Sequence, residues 1–450
     1  MFDRQAVTVG AILAVARRLA ELDDGVDDEA LVERLGALEA LKAAASAAQA
    51  RAAAALDASQ RQQQRLTGVP AAERGRGVAA QVALARRESA HRGGRLLGLA
   101  KALVHEMPGT FRALQAGRIS EWRATVLARE TAVLSREDRA AVDEELAGSA
   151  EALARLEGMG DREVAAAAKR IAYRLDPRSV VARARRAEGE RCVTIRPAPD
   201  TMAYVTALLP VQQAVSVHAA LQRAADAARG RPGGDERSRG QLMADALVER
   251  VLAGAAAAPG TPRVPDVAVR LVVTDRTLLA GGDEPAALEG HGPVPAGWAR
   301  ELVAGTVEAG ARVALQKVLL DDLGRLVAME SRGRFATPGL AAAVRLRDGG
   351  TCRTPWCDAP VRHVDHVERH AEGGRTRLQD LQGLCEACNQ AKEAAGWRSR
   401  VDEATGTVVI RTPSGVEYRS VPPPLPGAPP TTAEGSPIEA HLALVVGLAA

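Results

Sequence analysis

The 450-residue chain is poor in aromatic side chains, with four Trp, three Tyr and three Phe. A core of stacked rings is thereby excluded, and Ala, Leu and Val must fill the interior, which suits closely packed helices. Cysteine is scarce as well. Four of the five cysteines fall in two close pairs, a distribution unlike the scattered pattern of a disulfide framework. No run reaches the roughly 18 uncharged apolar residues that a membrane span needs. The apolar "AVTVGAILAVA" lies between Asp3, Arg4 and Arg17, Arg18, shows no clear cleavage site and reads as a helix instead of a secretion signal. A large excess of one charge is missing too. Lys plus Arg is 59 against 56 for Asp plus Glu, so any surface for nucleic acid must be local. The expectation is a cytoplasmic protein in a reducing setting, without a membrane partner.

The length suggests two or three domains. From residue 27, Leu31, Leu35, Leu38 and Leu41 recur at helical spacing in an Ala-rich stretch that predicts one long helix to residue 66. Pro70, Gly75 and Gly77 interrupt it, and further helical segments follow. Ser135, with Glu137 and Asp138 behind it, reads as a helix N-cap. Near Arg191 the pattern changes: "RCVTIRPAPDTMAYVTALLP" and "VAVRLVVTD" read as strands, with helical segments between them. The expected fold is therefore mainly α with a mixed α/β middle region and a small C-terminal module. The expected domains are 1–185 (helical), 186–335 (mixed), 340–402 (module) and 403–450 (Pro-rich flexible tail). The helical part is expected to fold without the module.

Cys352 and Cys357 enclose four residues, "CRTPWC", and Cys385 and Cys388 enclose two, "CEAC". Two such knuckles supply four thiolates, the set a structural Zn2+ prefers, and they would staple a segment too rich in charge and glycine to build its own core. Cys192, alone on a predicted strand, reads as a small buried apolar residue. Between the pairs, "RHVDHVERHAEGG" holds three of the eight histidines: His363, His366 and His370.

Several blocks, among them "RGVAAQVALARRESAHRG", "GRISEWRATVLARETAVLSREDRAAVDEELAG" and "LVAMESRGRF", resemble an actinobacterial family. It is built on a domain of unknown function 222, is also called the thirteen-E-twelve repeat family, and usually carries a C-terminal HNH endonuclease module. The likeness extends over roughly residues 27–400. "VDHVERHAEGG" followed by "LQGLCEACNQAKEAAGW" resembles the HNH, or ββα-metal, motif with zinc knuckles flanking it.

The resemblance implies Asp365 and His366 as the motif's pair and Gly373 and Gly374 as its turn. Two positions depart: Asp380 stands where the family has Asn, and Asn389 where it usually has His. By the same likeness His366 is the general base, while Asp365 and Asn389 hold Mg2+ or Mn2+ by oxygen. Asp380 would tie the loop that positions the base, but it cannot donate a hydrogen bond and adds negative charge. Strand alternation puts His363 on the face of Asp365, and His370 falls in an exposed loop. Arginines between 345 and 400, including Arg347, Arg353, Arg369, Arg377, Arg398 and Arg400, and also Lys392, are candidates for phosphate contact. Trp356 and Trp397 are expected to pack the module.

The implied function is a metal-dependent HNH endonuclease hydrolysing DNA phosphodiester bonds, with the helical region serving targeting or assembly. The alternative is a catalytically weakened, zinc-containing DNA-binding or scaffolding protein. The long Ala-rich helix offers a surface for a second copy or another protein partner.

Overall fold

A computed structural model describes residues 8–22, 25, 27–230, 236–256, 269–308, 318, 326 and 334–427. Among the described residues, ten α-helices precede the first strand: α1 (Val9–Ala20), α2 (Asp28–Leu66), α3 (Val78–Ala85), α4 (Ala90–Glu106), α5 (Pro108–Gln115), α6 (Glu121–Glu130), α7 (Arg136–Ala147), α8 (Ala150–Gly158), α9 (Asp161–Leu175) and α10 (Pro177–Glu188). Serine caps start several of them. The hydroxyls of Ser120, Ser135 and Ser149 accept from the backbone N–H groups of Arg123, Asp138 and Ala152, so the expected cap at Ser135 is present.

The chain divides into two compact units, one comprising residues 1–60 and 95–183 and the other residues 61–94 and 184–450. In the first, Leu103, Met107, Leu114, Leu127, Val142, Leu156 and Val164 form the fully buried centre. The buried Asp143 carboxylate accepts from Gly109 N (2.6 Å), Thr110 N (2.8 Å) and Thr110 Oγ1 (2.5 Å), and so satisfies the start of α5 from within α7. On α2 the buried apolar residues are Ala43, Ala47, Ala50 and Ala54, whereas Leu35 and Leu41 are exposed. Small side chains on the inward stripe let neighbouring helices approach closely, which is how so much alanine is used.

In the second unit, β1 (Cys192–Pro197) and β2 (Ala203–Leu208) form an antiparallel hairpin exposed along both strands. Cys192 is therefore exposed, contrary to expectation, because no layer among the described residues covers the hairpin. Helices α11 (Val211–Arg229) and α12 (Arg239–Ala256) follow. A small sheet of β3 (Leu271–Val272), β4 (Ala286–Leu288) and β5 (Gly292–Val294) then packs with α13 (Asp275–Leu279) and α14 (Ala296–Glu308). The middle region is mixed α/β, as expected.

The C-terminal module contains α15 (Pro338–Arg347), β6 (His363–His366), β7 (Leu381–Leu384), α16 (Glu386–Lys392), β8 (Arg398–Asp402), β9 (Thr407–Arg411) and β10 (Glu417–Ser420). Two expectations about its extent need correction. The flexible tail expected from residue 403 instead begins with β9 and β10, because Val408 and Ile410 drop into a core with Val367, Ala394 and Trp397. The rest of the expected tail, residues 428–450, lies outside the described residues.

The second correction concerns α3, expected to belong with the helical region. Leu84 and Ala80 of α3 pack into that same core. Gly77, which starts α3 at φ +82°, sits so near Trp397 that a Cβ there would lie 2.5 Å from the indole Nε1. Gln81 accepts from Ser414 N at 3.3 Å. A segment far upstream thus completes the module, which was expected to stand apart from the helical part.

Candidate active site

The four paired cysteines converge. Cys385 is the N-cap of α16, with its Sγ accepting from Cys388 N at 3.4 Å; the loop carrying Cys352 and Cys357 is fixed by Cys352 N donating to Ala359 O at 2.8 Å. All four are buried, and their Sγ atoms lie within 4.8 Å of one another, Cys357 and Cys385 at 3.7 Å. Four thiolates about 2.3 Å from a tetrahedral Zn2+ would be separated by about 3.8 Å, so the set fits zinc. Contact with Cys357 draws the Cys352 thiol down to about 7, and contact with Cys352 draws Cys385 further down. The Cys352 sulfur pushes Cys357 and Cys388 up. Four thiols this close share protons unequally, a strain that a cation relieves by favouring thiolate throughout.

Beside them β6 and β7 run antiparallel, Asp365 opposite Gln382 and His366 opposite Leu381, and α16 follows directly. The ladder is held from behind by Asp348, whose fully buried carboxylate accepts from Gly383 N (2.8 Å) and pairs with Arg347 (2.8 Å) and Arg353 (2.9 Å). The turn between the strands needs both its glycines. Gly373 has φ +104°, and a Cβ on Gly374 would collide with the Glu368 carbonyl.

The His366 side chain is buried, and its Nε2 lies 3.0 Å from Thr376 Oγ1. The Thr376 hydroxyl donates to the Arg334 carbonyl at 3.4 Å, so it accepts from His366 Nε2–H. That tautomer leaves Nδ1 with its lone pair free, 4.0 Å from Asp365 Oδ1. Burial pushes the His366 pKa down, with Asp365 opposing, which keeps the ring neutral near pH 7. Buried Lys392 donates to Asp365 Oδ2 and to the His366 carbonyl, both at 2.5 Å, tying α16 to β6. Asn389 precedes Lys392 by three residues, hence on the same side of α16. Its Oδ1 is buried and has no hydrogen-bond partner among the described residues, an acceptor suited to a hard cation.

Asp380 closes the loop through its backbone, accepting from Val367 N at 2.8 Å, while its carboxylate accepts from Arg377 Nε at 2.6 Å. His363 is exposed at the start of β6. His370 is exposed too, although its ring meets that of His366 edge-on at 5.2 Å.

Two family descriptions match this chain: "Domain of unknown function (DUF222)" over residues 38–348 and "HNH endonuclease" over 352–395. The chain belongs to the DUF222 family. No curated protein and no solved structure matches it. In this DUF222 protein the matched HNH span holds all four cysteines, Asp365, His366, Thr376, Asp380 and Asn389, but leaves out α3 and β8 to β10, which share the module's core. No helix among the described residues is long and apolar enough to cross a membrane.

The basic residues near the motif separate into two kinds. Arg347, Arg353, Arg369, Arg377 and Lys392, candidates for phosphate contact from sequence, are occupied by internal carboxylates and carbonyls. Arg362, Arg375, Arg398 and Arg400 are exposed. Trp397 is buried in the core, while Trp356 is 47% exposed and packs edge-on against Tyr418. Thr376, Asp348 and the Lys392 ion pair were not singled out from sequence as parts of the site. The only prior signal was polar residues beside an apolar strand pattern, which any surface loop also shows.

Proposed function

We propose that the chain is a metal-dependent endonuclease that hydrolyses DNA phosphodiester bonds at the β6–α16 site, with a structural Zn2+ on Cys352, Cys357, Cys385 and Cys388. The observation that carries the reading is the buried His366–Thr376 pair with the Asp365 carboxylate 4.0 Å from the free ring nitrogen; the unpartnered Asn389 Oδ1 on α16 would supply a second oxygen. The arrangement supplies a neutral base of fixed tautomer next to a place for a hard cation. His366 Nδ1 takes the proton of a water as the water oxygen bonds to phosphorus, and the bond from phosphorus to the leaving sugar oxygen breaks. Mg2+ or Mn2+ held by the Asp365 and Asn389 oxygens would neutralise charge on the phosphate and the leaving oxygen. Thr376 holds the imidazole, and Lys392 holds Asp365 against the helix. Asp380 braces the loop through Arg377 and Val367.

A second reading, a catalytically weakened DNA-binding protein, draws on one feature: Lys392 already occupies an Asp365 oxygen that a cation would need. Nicking of supercoiled DNA separates the two. Cleavage is expected with Mg2+ or Mn2+, absent with chelator, and lost in His366→Ala with zinc content unchanged. No cleavage of supercoiled, linear, single-stranded or branched DNA with either metal would favour the second reading. Metal analysis is expected to give one zinc per chain, lost in the Cys385→Ser, Cys388→Ser variant; equal zinc in both would remove the structural ion.

A further inference from the structure

Strands β8, β9 and β10 lie outside the matched endonuclease span, yet their register concentrates charge. Arg398 stands directly opposite Arg411, and Glu417 follows Arg411 in the same row; in the next row Arg400 and Arg419 flank Val409. Residues in register share one face of a sheet, so all four arginines point to the same side. Ser399, Val401, Val408 and Ile410 point to the other, where Val401, Val408 and Ile410 meet the core. The four arginines are exposed and, among the described residues, none has an ion pair or a hydrogen bond to a carboxylate. Like charges opposed across an antiparallel pair repel, and the register sets Arg398 against Arg411 with Glu417 as the single carboxylate in the row.

A groove of about 540 Å3 lies along this face. Arg398, Arg400 and Arg411 line it together with Val367 and Lys392, and Lys392 is the residue whose ammonium is bonded to Asp365. Its acidic residues are Glu368, Glu372 and Glu417, of which Glu372 is already held by Arg369 at 3.1 Å.

We infer that the arginine face of β8 to β10 binds the sugar-phosphate backbone of duplex DNA along this groove, beside Lys392. The substrate class rests on the nuclease reading; the surface is a separate claim. A polyanion relieves the Arg398–Arg411 repulsion, guanidinium groups take phosphate oxygens bidentately, and such contacts are independent of base sequence. The groove's continuity with Val367 and Lys392 is what favours a nuclease substrate over an acidic polypeptide.

The test is equilibrium binding of the full-length chain to a duplex of arbitrary sequence, by fluorescence anisotropy across about 50 to 200 mM salt. In Arg398→Ala, Arg411→Ala the slope of log K against log salt is expected to fall by about two, roughly one per phosphate contact, with at least a ten-fold loss of affinity at low salt. Arg398→Lys, Arg411→Lys should keep most of the slope, and all variants should retain zinc and helical circular dichroism. In nicking assays KM for DNA should rise by more than kcat falls. An unchanged slope in the alanine variant, or displacement of the duplex by polyglutamate at equal charge, overturns the inference even if the wild type cuts. A reduced slope in a protein that never cuts upholds the surface and removes the nuclease reading instead.

Discussion

Thr376 Oγ1 lies 3.0 Å from His366 Nε2 and itself donates to the carbonyl of Arg334. A hydroxyl whose proton is already committed accepts the imidazole N–H, and this fixes which ring nitrogen is basic. Thr376→Val removes the acceptor at nearly constant volume. It is expected to slow cleavage ten-fold or more, within the roughly 100- to 10,000-fold that a general base contributes. Thr376→Ser should recover most of the rate. Single-turnover nicking measures both, and a Val variant as fast as the Ser variant would show that the tautomer is set by something else.

The direction of the His366 shift gives a pH profile. Burial disfavours imidazolium, so the folded pKa falls below the ordinary value of 6.5. The base form is neutral, hence cleavage persists at pH 7 and is lost on acidification only as pH drops through that lowered value. A profile of kcat/KM at saturating metal is expected to show its acid limb below pH 6.5; a limb above it would contradict a buried base.

Asp380 puts a carboxylate where the family has an amide. Arg377 neutralises it at 2.6 Å, with both side chains largely buried. Asp380→Asn is therefore expected to leave the cleavage rate within a few-fold and to destabilise the fold by about 1–3 kcal/mol, because Arg377 loses its closer and more buried carboxylate while keeping exposed Glu403 at 3.4 Å. Urea unfolding and nicking read the two effects. A large gain in rate would favour the reading of a catalytically weakened protein.

Residues of α3 test the module's unexpected boundary. Leu84→Ala is expected to cost about 2–5 kcal/mol, the range for emptying a buried leucine site. Gly77→Val sets a branched side chain against Trp397 at a positive φ. Both should raise Trp fluorescence changes at lower urea and shed zinc earlier than wild type. Unaltered zinc retention in both variants would mean that α3 merely touches the module.

Much of this architecture was legible in the sequence. The convergence of the four paired cysteines was, because thiol spacing along a chain limits thiol spacing in space, and so were the Ser135 cap and the mainly helical fold. What was not legible depends on contacts distant in sequence. The occupation of Lys392 and Arg353 by internal partners depends on strands and helices meeting. The strands at 407–411 and 417–420 are short and adjoin a Pro-rich segment whose composition dominates the reading. Exposure of Cys192 follows from the missing layer over β1 and β2, which no local pattern records.

The packing of Leu84 against Ile410 also bears on time. A ribosome delivers α3 long before β9, roughly 300 residues earlier, so the growing chain carries an uncovered apolar helix through most of its synthesis. The module's interior closes only once β9 has emerged. Chains interrupted before that point hold α3 without its partner strands, so the helix and the strands that cover it are joined late although the helix is made early.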